Sequence, residues 1–255
     1  MEKEDLNLEK VSLDIPSQTK PSYAPWVVSI IFSAWLIAMG ILGAGYLIAQ
    51  KLSSNQVVGV GVDQSGQVVD LPLEQNIDFE ITSEMYVLGS DQAPVTIAEF
   101  ADYQCPFCGQ FHQAVFEQLK QNYIDTNKVK FVFVDFPFLG EESYLASQAT
   151  ACANEQNKFW EFHNLIFENQ AGENQGNFTN ELFINLSKQL SMNSSAFESC
   201  LTSQKYRDQV INQTTQAGER YGISSTPTFI INGTKYEGSM PYENFKQVID
   251  SHLDS

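Results

Sequence analysis

Glu99-Phe100-Ala101-Asp102-Tyr103-Gln104-Cys105-Pro106-Phe107-Cys108 is the stretch whose reading decides the fold. It joins an apolar run to a helical pattern. Val95 to Phe100 is short, β-rich and apolar, the signature of a buried strand. Pro106 suits the first position of a helix, where its missing N–H is not needed. Behind it, Phe107, Phe111, Val115, Leu119 and Tyr123 recur at helical spacing. Cys105 and Cys108 therefore bracket the first turn of a helix that follows a strand, close enough to form a small disulfide ring. The first lies at the helix N-terminus, where unpaired N–H groups and the macrodipole stabilise a thiolate. A thiolate is the attacking species in disulfide exchange, so Cys105 is the expected nucleophile and Cys108 the resolving thiol. Read instead as half a zinc site, the pair lacks partners. Zinc takes four N or S ligands, no second C-x-x-C occurs, and His112, the one histidine nearby, reads as a polar residue on the helix surface.

Outward from this junction, Val129–Phe136 is a second strand run, and residues 142–222 carry helical patterns such as Leu145, Ala149, Cys152 and then Phe159, Phe162, Ile166. Thr228–Ile231, Asn232-Gly233 and Thr234–Tyr236 make a hairpin with a type I′ turn signal. Pro241 opens a last helix with Phe245, Val248, Ile249 and Leu253 on one face. The order is strand, helix, strand, helical block, hairpin, helix. That is a layered α/β arrangement with a helical insertion at about 140–222. Glu99 shares a strand face with Val95 and Ile97 by the period of two. An acid there is costly to bury as a charge. Six residues before Cys105, it is placed to take the proton that the resolving thiol must lose; an exposed acid at a strand end is the plainer alternative. Cys152 and Cys200 are either two buried free thiols or, in an oxidising compartment, a structural disulfide. No activating motif surrounds either one.

The chain has 255 residues and a formal net charge of −17, which repels phosphate backbones and argues against nucleic acid as a partner. Four cysteines are too few for a disulfide-dense scaffold. Nothing calls for a cofactor or a metal. From Trp26 to Gln50 no residue is charged, and the run is long enough to cross roughly 30 Å of hydrocarbon as a helix. Trp26 and Tyr46 near its ends suit the interface. A cleaved signal has a shorter apolar core and a small-residue cleavage site, which this segment lacks. Lys3, Lys10 and Lys20 precede the run; Lys51 follows it, and no Lys or Arg appears again until Lys120. Positive residues favour the cytoplasmic side, so the N-terminus is expected inside and the bulk outside. The expected organisation is a disordered cytoplasmic tail (1–24), a transmembrane signal-anchor helix (25–50), a stalk (51–88) with a weak strand pattern at Val58, Val60 and Val62, and the folded domain (89–255).

The segment Glu99 to Cys108 resembles the active-site segment of DsbA-like thioredoxin-fold oxidoreductases. Ser225-Thr226-Pro227-Thr228-Phe229 resembles that family's cis-proline loop, although by itself Pro227 reads as an ordinary trans turn proline. Ala151-Cys152-Ala153 and Lys158-Phe159-Trp160-Glu161-Phe162-His163 resemble its helical insertion. The resemblance runs in register over residues 89–252, and the anchored layout resembles the membrane-tethered bacterial branch. It implies a thioredoxin fold with a helical insertion, preceded by a single transmembrane helix, and an enzyme that introduces disulfides into exported polypeptides carrying Cys thiols. It implies Cys105 and Cys108 as the redox pair, Glu99 as the family's buried acid, and Pro227 in cis beside Cys105, with Thr226, Pro227 and Phe107 meeting the substrate. Reoxidation would fall to a quinone-linked membrane oxidase. The same cycle run backwards gives a reductase or isomerase. A rival of another class is a non-catalytic, membrane-tethered module binding polypeptides or a metal. One departure stands out: where the family's well-studied oxidant has Pro-His between its cysteines, this chain has Pro-Phe, so no ring cation is available there and the oxidising power is expected to be moderated.

Overall fold

The computed structural model describes residues 76–254 and, ahead of them, the antiparallel strand pair β1 (Val60–Val62) and β2 (Val68–Asp70). The expected tail (1–24) and anchor (25–50) lie outside the described residues. Among the described residues no helix is long and apolar enough to cross a membrane.

Five strands form the main sheet: β3 (Tyr86–Leu88), β4 (Val95–Ala101), β5 (Val129–Asp135), β6 (Thr228–Ile231) and β7 (Thr234–Glu237), in the order β3-β5-β4-β6-β7. Only β4 and β5 are parallel, as their long crossover requires. Both faces of the centre are covered, so β4 and β5 read as nearly continuous apolar runs rather than alternating ones. On one face Val95, Ile97, Phe131, Phe133, Phe229 and Ile231 meet the larger core; on the other Ala98, Phe100, Val132, Val134 and Ile230 meet a smaller one. Glu99 belongs to the first face, with Phe133 and Phe229 as its register neighbours on β5 and β6.

The helix after the cysteines, α1 (106–124), is not uniform. It is α-helical over Pro106–Phe111 and Glu117–Leu119, and π-helical over His112–Phe116 and Lys120–Ile124. The cause is legible in the apolar repeat. Phe111, Val115, Leu119 and Tyr123 are spaced by strict fours and all are buried. At 3.6 residues per turn such a repeat would drift around the axis, and the wider π turns take up the excess.

The insertion comprises five helices rather than one continuous block: α2 (Glu141–Asn154), α3 (Phe159–Glu168), α4 (Asn180–Gln189), α5 (Ser194–Thr202) and α6 (Arg207–Tyr221). Thr179 and Asn193 cap α4 and α5 by accepting from the Leu182 and Ala196 N–H groups, each at 3.1 Å. Gly222 ends α6 in the left-handed region at φ 62°, where a side chain would be strained. A disulfide between Cys152 and Cys200 ties α2 to α5. The hairpin turn at Asn232-Gly233 has positive φ at both residues, 44° and 88°, and the final helix α7 (Tyr242–Leu253) lays Phe245 against Phe111 and Phe229.

One expected boundary is corrected. The fold starts well before Gly89: Ile77, Phe79, Ile81 and Met85 pack on the smaller core. Tyr86, in β3, stacks on Phe159 at 3.6 Å between ring centroids, and β3 pairs with β5. This segment is too short and too mixed with acids to show a strand period, so its apolar residues gain meaning only from the surfaces they cover.

Candidate active site

Cys105 is the N-cap of α1 and Pro106 its first residue, so the turn is shaped by the end of β4 and the start of the helix. Asp102 holds the approach. One carboxylate oxygen accepts from the Gln104 N–H at 2.8 Å, and the other accepts from Phe138 and Leu139 N–H at 2.9 and 3.0 Å. Gln170, just past α3, donates to the carbonyls of Tyr103 and Cys105 at 2.8 and 2.9 Å. Gly109 makes room for it, since a Cβ there would run into the Gln170 amide oxygen. Sequence reasoning missed Asp102 and Gln170, both polar residues whose partners lie far along the chain.

The two cysteines are present as thiols, and their environments differ. Cys105 is 5% exposed and Cys108 fully buried. The Cys108 thiol, hydrogen-bonded to Cys105, holds the Cys105 thiol down at about 6 against the cost of burial, helped by Thr226 and the N–H groups of Cys108 and Phe107. Burial pushes Cys108 well above the ordinary range, and the nearby Glu99 and Cys105 push the same way. The Cys105 thiol donates to the Thr226 carbonyl at 3.3 Å, and the Thr226–Pro227 peptide is cis. Phe107 is 57% exposed at the start of α1, and Phe138 is 47% exposed in the loop held by Asp102. Phe138 was not picked out from the sequence.

Glu99 is fully buried, not an exposed strand-end acid. Its Oε2 lies 3.2 Å from His112 Nε2, and its Oε1 has no partner. His112, expected on the helix surface, is instead turned inward at 8% exposure. The reason is its position four residues after buried Cys108, on the same helix face. That spacing was the available signal. His163 sits beside it with 4.6 Å between ring centroids, hydrogen-bonded through Nδ1 to the Tyr103 hydroxyl at 2.8 Å. Burial holds His163 well below the usual imidazole range, so it is neutral near pH 7. Among the described residues no group of three or more His, Cys, Asp or Glu side chains is placed to hold a metal ion.

Known proteins share this fold and part of this sequence. The thioredoxin family model matches residues 82–251. The disulfide bond formation protein D of Bacillus subtilis is 32% identical over 170 residues, covering 66% of this chain and 76% of its own. The crystal structure of oxidised BdbD from Bacillus subtilis superposes with a TM-score of 0.63 at 31% identity, over 68% of this chain and 94% of that one. The α-DsbA1 structure of Wolbachia pipientis gives a TM-score of 0.63 at 25% identity, over 68% and 93%. A thiol pair on a thioredoxin sheet with a helical insertion, in a chain whose relatives are named for disulfide bond formation, has one consistent reading: this chain is a protein thiol–disulfide oxidoreductase of the DsbA-like thioredoxin family.

Proposed function

We propose that this oxidoreductase introduces disulfides into exported polypeptides through Cys105 and Cys108, with its domain held on the outer side of the membrane by the segment 25–50. The observation that carries the reading is the split between the two thiols. A Cys105 titrating at about 6 leaves readily as a thiolate, which favours the reduced enzyme and so makes its disulfide oxidising. A substrate thiolate attacks Cys105, the Cys105–Cys108 bond breaks, and Cys108 leaves as a thiolate that must be protonated. The substrate's second thiol then attacks the mixed disulfide, and Cys105 leaves as the thiolate. Glu99, buried near enough for its charge to raise the Cys108 thiol, is the group that gives and takes the Cys108 proton. Thr226, Pro227 and Phe107 border Cys105 where an extended substrate segment would lie. Two electrons remain on the enzyme, and a quinone-linked membrane oxidase is the proposed acceptor.

Pro-Phe between the cysteines moderates this chemistry. A thiol at about 6 lies between the values of about 7 in thioredoxin and about 3.5 in DsbA. The expected potential therefore lies between roughly −270 and −120 mV. The test offers the oxidised full-length protein a reduced substrate with two disulfides to form, and offers the reduced protein a scrambled one. Rapid stoichiometric oxidation with little unscrambling is expected. Efficient unscrambling with poor oxidation, or a potential at the thioredoxin end, reassigns the chain to the reductases or isomerases.

A further inference from the structure

Cys108 is sealed from solvent, and so is Glu99. Whatever proton Glu99 takes from Cys108 must therefore leave the interior by another group before the next cycle. His112 is placed to be that group. Its Nε2 is 3.2 Å from Glu99 Oε2, leaving Oε1 without a partner on the buried carboxylate. Its imidazole also lines a surface cavity of about 260 Å³, together with Gln113, Phe116, Glu117, Asn164, Phe167 and Glu168. His112 thus touches the buried acid and also borders a cavity at the surface. Phe167 stacks on it at 4.0 Å between centroids and fixes its plane.

We infer that His112 relays protons between Glu99 and the surface cavity it borders, and that this relay, resting on the role proposed above for Glu99, sets the rate of the steps made by Cys108. The balance is as follows in the resolving direction. Cys108 gives its proton to the Glu99 carboxylate. The Cys108 thiolate attacks the Cys105 sulfur of a mixed disulfide, the Cys105–Cys108 bond forms, and the partner leaves as its thiolate. The proton on Glu99 passes to His112 Nε2, and the imidazolium releases its other proton to water in the cavity. In the opposite direction the same chain delivers a proton to the departing Cys108 thiolate.

The titratable groups facing His112 suit the task. From β4 it meets Glu99, and from α3 it meets His163, which is held neutral and so does not compete for the proton. Glu117 of α1 and Glu168 of α3 line the same cavity as His112. The π turn that starts at His112 belongs to the same design: it is where α1 departs from the α-helical path beside the buried acid.

The test uses the full-length, reduced protein and Ellman's reagent. Attack by Cys105 releases one thionitrobenzoate and leaves a mixed disulfide on it; attack by Cys108 then releases a second. His112→Gln keeps a donor near Glu99 but cannot carry a proton. It is expected to slow the second release about tenfold while leaving the first within about twofold, a modest share of what general acid–base transfer contributes. Free imidazole, which can enter the cavity, should restore the second release. Glu99→Gln should slow it without such rescue. In the unsubstituted protein the second release should show a solvent deuterium isotope effect that the first lacks, a readout that does not depend on any variant folding. A wild-type rate of second release in His112→Gln, slowing without imidazole rescue, or no isotope effect would each overturn the relay. A single release from the unsubstituted protein would instead overturn the exchange reading, and an unaffected Glu99→Gln the role of Glu99.

Discussion

Cys105 and Cys108 stand three residues apart, yet their surroundings push them in opposite directions. The largest influence holding Cys105 down is the Cys108 thiol itself, and the largest raising Cys108 is burial. Alkylation of Cys105 should therefore follow a titration centred near 6, and Cys108→Ala should move that midpoint upward, toward the ordinary value of 9.0. An unmoved midpoint would mean that the helix terminus alone stabilises the thiolate. Asp135, at the end of β5, is a second residue whose neighbourhood decides its chemistry. It is fully buried, neither oxygen has a partner within hydrogen-bond distance, and burial lifts its carboxyl to about 7 from 3.8, against the opposite pull of the nearby Ser147 hydroxyl. Its folded-state value is raised, so its contribution to stability is complete below about 4 and lost as pH rises through 7. Across that window it is worth up to about 4 kcal/mol. Asp135→Asn should flatten the fall in melting temperature between those limits; a slope equal to the wild type's would assign the titration elsewhere.

At the scale of elements, the insertion depends on a link that no helix supplies alone. The Cys152–Cys200 bond closes a separation of 48 residues between α2 and α5. On the chain-entropy account such a loop contributes about 4 kcal/mol. Replacing both cysteines with Ala should lower the melting temperature by about 10 °C for a domain of this size. Exchange at Cys105 per folded molecule should stay near wild type, because neither sulfur lies in the site. Lost exchange in the folded double variant would instead point to a second redox centre. Helix α1 makes the complementary point. Its four-residue apolar repeat is stronger than the preference for an α-helical turn, and the backbone widens to keep Phe111, Val115, Leu119 and Tyr123 on the core.

At the scale of the whole molecule, the proposed anchor sets which side of a membrane the thiols face. Cys105 is proposed to lie outside, because the run from Trp26 to Gln50 is uncharged and lysines precede it. A membrane-impermeant maleimide should label Cys105 in intact, reduced cells. Labelling that requires lysis would reverse the orientation. Such an anchor would also raise the effective concentration of the domain near the proposed membrane oxidase.

How much of this was legible depends on distance along the chain. The strand, the Cys105-Pro-Phe-Cys108 turn and the helix lie within about thirty residues, and local period and helix-end chemistry suffice to read them. The hairpin at Asn232-Gly233 is equally local, and the insertion is visible as a run of helical patterns. Glu99 could be assigned a face from its strand alone. His112 could not be assigned a partner, because a polar residue on a helix looks the same whether it faces water or a carboxylate from another element. Residues 77–88 were read as stalk for a similar reason: a three-residue strand has no period, and its apolar side chains matter only where β5 and α6 leave surface to cover. The sequence by itself determined the order of the elements, the reactive turn and the pattern of apolar faces, because these follow from neighbours within a few residues. The tertiary structure alone decided the Glu99–His112 contact, the Asp102 and Gln170 braces and the isolation of Asp135, because burial and hydrogen bonding between distant segments exist only once the chain has packed.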